Sequence, residues 1–122
     1  MVILINNKRT LNEIQNEFHL RFPNLKIIFF RKKHMIGETS EKTDEIKPGL
    51  TLEEARARHN NGHVTIYPHQ TVDSLEELFE EKFGLYAQVM RRSGKVWLVT
   101  SKTDEWTLAK QNEIGGEVFS EI

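Results

Sequence analysis

The sequence predicts an α+β domain made of two tandem β–α–β units, arranged as a ferredoxin-like sandwich with an extra hairpin strand and two short helices. A β-grasp-like arrangement is the alternative. Three observations carry the prediction. Two segments have the apolar spacing of amphipathic helices, each lies between short apolar strands, and the whole order occurs twice. The 122 residues are read as a single domain, with internal repeats at 1–62 and 63–117.

The first strand is Val2–Ile5, a short alternating segment without a basic leader or a small-residue cleavage site, so it reads as a strand and not as a signal peptide. A polar turn leads to a helix over about 10–22, whose stripe is Leu11, Ile14, Phe18 and Phe22 at three- and four-residue steps. Pro23 ends it, and a second strand follows at Leu25–Phe30. Residues 33–49 then read as a long connection, of the kind that carries function or moves. The same order returns with a strand at Val64–Ile66 and a helix at 71–83. The second stripe is Val72, Leu75, Phe79 and Phe83, and after Gly84 a strand runs from Leu85 to Met90. Arg92-Ser93-Gly94 marks a hairpin turn into the extra strand at Val96–Thr100. Short helices are expected at about 51–60 and 107–114.

Each of the four helices starts with threonine and an aliphatic residue: Thr10-Leu11, Thr51-Leu52, Thr71-Val72 and Thr107-Leu108. A threonine oxygen accepts from an amide that the first turn leaves unpaired. Glu13 and Glu54 stand where a capping box needs the reciprocal acid.

The repeat is visible in two alignments. Residues 3–22 match 64–83, with Ile5/Ile66, Thr10/Thr71, Phe18/Phe79 and Phe22/Phe83 identical. Residues 25–45 match 85–105, with Leu25/Leu85, Arg31/Arg91 and the run Lys42-Thr43-Asp44-Glu45 on Lys102-Thr103-Asp104-Glu105. The residues Phe83-Gly84-Leu85, Arg92-Ser93-Gly94, Trp97-Leu98, Thr103-Asp104, Trp106-Thr107-Leu108 and Gln111-Asn112 also form a pattern. It resembles a set of short bacterial α+β proteins of unassigned function. The resemblance covers most of the chain and brings no catalytic motif with it.

Composition excludes several chemistries. There is no cysteine, hence no disulfide framework, thiolate nucleophile or Cys-based zinc site. No apolar run approaches the length of a membrane span, so no membrane partner is expected and the expected location is cytoplasmic. The net charge of −1 speaks against a dedicated nucleic-acid binder. Charge is uneven, however. Residues 1–61 carry eleven basic and eight acidic side chains, and residues 62–122 carry six and ten. That asymmetry can orient self-association or a charged partner.

Of the histidines, His59, His63 and His69 lie closest together, but Asn61-Gly62 interrupts any helix that could place two on one face. They read as surface residues, and neither a metal nor a cofactor is expected. The acids Asp73, Glu76, Glu77, Glu80 and Glu81 read as the solvated face of helix 71–83. No carboxylate pair stands out as an acid and base, so no catalytic residue is assigned. The basic groups Arg31-Lys32-Lys33-His34 and Arg91-Arg92 with Lys95 are the best case for nucleic acid. In a ferredoxin-like sheet they would sit at opposite ends of edge strands.

The candidate binding set is Trp97, Asp104, Trp106, Gln111 and Asn112 with Arg91 and Arg92, in which Trp106 could anchor a partner. The competing account gives Asp104 and Thr107 the turn into the last helix and packs Trp106 on the sheet. Strands 25–30 and 96–99 are apolar on both faces, which marks Ile28, Phe30 and Trp97 as a candidate dimer surface. The resulting expectation is a non-enzymatic interaction or regulatory module that forms a homodimer, with another protein as a further possible partner. A nucleic-acid-binding accessory protein is the alternative, and a small enzyme with an unrecognised site comes third.

Overall fold

A computed structural model describes residues 1–32 and 44–117. The chain is α+β: β1 (Val2–Ile5), α1 (Leu11–Arg21), β2 (Leu25–Phe30), α2 (Leu52–Ala55), β3 (Gly62–Thr65), α3 (Val72–Phe83), β4 (Tyr86–Ser93), β5 (Val96–Val99) and α4 (Leu108–Gly115), with a 3₁₀ turn at Ser101–Thr103. The expected strand–helix order is thus present in both halves. Most of the connection read over 33–49 lies outside the described residues, as do His34, Phe119 and Ile122.

Both helical stripes face one core. Leu11, Ile14, Phe18, Phe22, Val72, Leu75, Phe79 and Phe83 are all buried, together with Leu25, Ile27, Phe29, Leu85, Ala87 and Val89 from the sheet. Phe79 meets Phe29 edge-on, with ring centroids 5.4 Å apart.

The described strands do not form the single sheet of a ferredoxin-like sandwich or of the β-grasp alternative. β1 pairs with β3 in one antiparallel sheet, and β2, β4 and β5 form a second in that order. The second strands of the two halves, expected at opposite edges, are therefore neighbours. Leu25 and Phe29 of β2 oppose Arg91 and Ala87 of β4, so the apolar faces of both strands share one core. The registers are centred on matched residues of the sequence alignments, Ile3 opposite Val64 and Ile28 opposite Gln88.

The helix starts form a second repeated device. Amides of Leu11 and Asn12 donate to the carbonyls of Leu50 and Pro48, and those of Leu52 and Glu53 donate back to Arg9 and Asn7. In the second half, Val72 and Asp73 donate to Trp106 and Asp104, and Leu108 and Ala109 donate back to Gln70 and Pro68. The four threonines each take a further amide, from Glu13, Glu54, Ser74 and Lys110. Each pair of helices thus closes the other's unpaired amides. This occupies the groups that make a helix N-terminus attractive to anions.

The clasp also corrects the Lys-Thr-Asp-Glu match. Pro48 and Leu50 do for the first half what Asp104 and Trp106 do for the second. Asp44 and Glu45 instead lie along the end of β2, where the Asp44 carbonyl accepts from the amide of Arg31 and Glu45 bridges to Phe30.

The first short helix stops at Ala55, well before residue 60, because Arg56 turns extended with φ −139° and ψ 155°. No helix among the described residues is long and apolar enough to cross a membrane.

Candidate interaction surface

The polar–aromatic group around α4 is brought together as the sequence suggested, but Gln111 at its centre is buried and bonded within the chain. Arg91 Nη1 donates to Gln111 Oε1 at 2.7 Å, and Gln111 Nε2 donates to both the carbonyl and the hydroxyl of Thr103 at 2.8 and 2.9 Å. Two cations lie over the Trp106 ring, with Lys110 Nζ 4.1 Å and the Arg91 guanidinium 5.7 Å from its centroid. Asn112 is held by Asn24: the Asn24 amide donates to Asn112 Oδ1 at 2.9 Å, and Asn24 Nδ2 to the Asn112 carbonyl at 3.1 Å. Arg92 closes the other side of Asn24 through a hydrogen bond to its Oδ1. Gly115 permits this approach, since a Cβ there would meet the Asn24 carbonyl at 3.0 Å. The group therefore fastens α4 to the start of β2 and to β4. Asp104 contributes its carbonyl to the start of α3, in agreement with a structural role.

Trp97 is not part of this group. It sits half-buried on β5 and folds back toward Lys26, whose Nζ is 4.9 Å from the ring centroid, and toward His19. Of the other dimer candidates, Ile28 is half-buried and Phe30 is buried. Phe30 is therefore not part of the exposed surface of the single chain: the bridge to Glu45 brings the returning chain alongside it.

The basic groups are separated. Antiparallel pairing sets Leu25 opposite Arg91 and Phe30 opposite Tyr86, so Arg31 and Lys32 follow one end of β2 while Arg91 and Arg92 flank the other. Among the described residues there is no group of three or more His, Asp or Glu that could hold a metal ion.

Two functional-looking residues escaped the sequence reading. Arg56 is buried although no carboxylate is among its described hydrogen-bond partners. Its guanidinium donates to Asn7 Oδ1 at 3.1 Å, to the Asn60 carbonyl at 2.7 Å and to the Phe83 carbonyl at 3.2 Å. Arg58 and Asn60 take the neighbouring carbonyls of Glu81 and Lys82. Three side chains from one loop thereby satisfy the last turn of α3, where the helix dipole favours positive charge. Burial, and then Arg58, lower the Arg56 pKa.

The second residue is Glu76, hidden in the acidic run of α3. Its Oε2 accepts from the Val89 amide at 2.8 Å, and the Val89 carbonyl accepts from the Thr100 hydroxyl at 2.7 Å. Burial pushes the Glu76 carboxyl up to about 8, with Asp104 and Asp73 adding repulsion and the Val89 amide opposing the rise. Glu77 is also raised, chiefly by Glu81, but it is exposed and belongs to the solvated face.

β5 exposes three of its four residues, all aliphatic, while β1 exposes Val2 and Leu4. Val96 is 57% exposed, Leu98 41% and Val99 40%. No protein-family model matches the chain, and neither does any curated protein or solved structure.

Proposed function

We propose that the protein is a non-enzymatic interaction module, derived by duplication of one β–α–β unit, that self-associates through β5. The observation that carries this reading is the exposure of Val96, Leu98 and Val99 on one short strand. A cluster of exposed aliphatic side chains at a sheet margin is costly in water and favours a covered state. The duplication is supported by the two matched registers and the repeated helix clasp. A non-enzymatic role is supported by the α4 group, whose polar atoms are engaged within the chain. Among the described residues the basic groups stand apart, which speaks against a continuous track for a nucleic-acid strand. A cytoplasmic setting agrees with a chain that has no cysteine.

Light scattering at micromolar concentration tests this. The wild-type chain is expected at twice the mass of one copy, and Leu98→Lys at the mass of one copy with its denaturant midpoint little changed. A wild-type monomer would falsify the reading, as would a Leu98→Lys protein that stays dimeric.

A further inference from the structure

A three-stranded sheet has two edges, and among the described residues only one of them is guarded. Along β2 the carbonyl of Leu25 accepts from His19 Nδ1 at 2.7 Å, that of Ile27 from Gln15 Nε2 at 3.0 Å, and that of Phe29 from the Ile46 amide at 2.8 Å. The opposite edge is β5, which pairs with β4 alone among the described strands. Val96–Val99, though only four residues long, contains no charge, proline or bulge of the kind that blocks pairing at an edge strand.

The hydrogen bonds fix which backbone groups β5 offers. Val89 directs its amide and carbonyl away from β2, to Glu76 and Thr100. Two residues on, Arg91 directs its own groups the same way, toward Leu98, its partner in register. The groups of Leu98 therefore face β4, and those of Trp97 and Val99 point out of the sheet.

Resting on the reading of β5 as the docking surface, we infer that a second copy adds its own β5 to this edge, antiparallel and symmetric about Leu98, to make one six-stranded sheet. In this register Trp97 stands opposite the partner's Val99 and Val99 opposite the partner's Trp97, each pair exchanging two main-chain hydrogen bonds. Leu98 meets its own counterpart on the axis. Lys95 falls opposite the partner's Ser101, so the two like charges stay apart. Every pair from 97 to 99 is apolar on apolar, which suits a second copy of this strand. The guard on β2 has a further consequence. β5 cannot add to β2 of a third molecule, so association closes at two copies and does not run on as a filament.

The absence of cysteine makes the register directly measurable. Leu98 forms a non-hydrogen-bonded pair across the axis, with Cα atoms about 4.5 Å apart, within the ~4.4–6.8 Å that a disulfide spans. Full-length Leu98→Cys is expected to form a disulfide-linked dimer under mild oxidation. Val96→Cys lies about 13 Å along the strand from its own counterpart and is expected to stay reduced. In the wild-type protein, exchange at the Trp97 and Val99 amides is expected to slow as concentration rises across the dimerisation range. If the wild type scatters as a dimer while Val96→Cys links as readily as Leu98→Cys, or the two amides keep their exchange rates, this register is wrong and the surface reading stands. If the wild type scatters as a monomer, both fall.

Discussion

Gln15 of α1 and Glu76 of α3 occupy the same place in the two halves, each five residues after the capping threonine, yet they close the sheet edge with different chemistry. Gln15 donates to the Ile27 carbonyl, and a strand of backbone at residues 44–46 completes that edge by giving the Ile46 amide to Phe29. Glu76 accepts from the Val89 amide, and the Val89 carbonyl is met by a hydroxyl, that of Thr100. The first edge is neutral and covered. The second holds a half-buried acid and continues into the apolar hairpin strand β5. One frame thus supports a side closed by neutral groups and a side that carries a carboxylate with a raised pKa beside an exposed apolar strand.

The largest expected effects test whether the frames are equivalent at all. Phe18 and Phe79 are matched positions, both buried without residual exposure. Truncating either to alanine is expected to cost about 3–5 kcal/mol, by lost transfer energy and a residual cavity. Denaturant unfolding should show the two losses equal to within about 1 kcal/mol, given the usual spread of such cavities. A loss at one position but not at the other would break the comparison at its base.

The edge itself is sharpened by Glu76→Gln. Unfolding returns the Glu76 carboxyl from about 8 to its ordinary value near 4.5. Between those limits the folded chain binds more protons, so this group lowers stability as pH rises and its effect levels off above pH 8. At ~1.4 kcal/mol per pKa unit the full difference has an upper bound of about 5 kcal/mol. Glu76→Gln is expected to be more stable than the wild type at pH 8.5, by about 1–3 kcal/mol after relaxation of the site, with the gap closing toward pH 5. Equal stability of the two proteins at pH 8.5 would mean that the carboxyl is not desolvated. The reverse exchange, Gln15→Glu, puts a carboxylate against the Ile27 carbonyl and should introduce a loss at neutral pH that acid recovers.

What the sequence made legible is what local spacing encodes. The helical stripes, the threonine caps with both capping boxes and the turn at Gly94 follow from residues a few positions apart. The strand pairing was not legible, because β2 and β4 are apolar enough to pair with several neighbours. The clasp was not legible either, since the carbonyls of Pro48, Leu50, Asp104 and Trp106 carry no side-chain signature. α2 ends early through Arg56, whose partners Asn7, Asn60 and Phe83 are scattered along the chain. Local sequence gathered Trp106, Gln111 and Asn112 but missed Asn24, which holds them to the sheet from the other half. Glu76 looked like one more acid on a polar face. The signal that could have separated it was its match to Gln15, a residue that also reaches the sheet.

The smallest expected effects concern the caps, where the halves differ least. Thr10 takes the Glu13 amide at 3.2 Å, and Thr71 takes the Ser74 amide at 3.1 Å. In both helices the first two amides are already held by backbone carbonyls of the clasp. Removing either hydroxyl therefore orphans one amide, not a whole turn, and alanine is expected to cost about 1 kcal/mol at each site. The reciprocal contact differs: Glu13 Oε1 accepts from the Thr10 amide, whereas the Ser74 hydroxyl donates to the Thr71 carbonyl. That hydrogen bond, first, and then Arg9 hold the Glu13 carboxyl below its ordinary value. Its contribution is present at neutral pH and fades as pH falls through the folded value. Thr10→Ala leaves this backbone contact in place, so the two alanine variants should melt within a few degrees of each other, and Thr→Ser should restore each. Glu13→Gln should lose its small effect in acid, while Ser74→Ala should show none of that pH dependence. A Thr71→Ala loss several times that of Thr10→Ala would mean that the second clasp depends on its threonine where the first relies on its carbonyls.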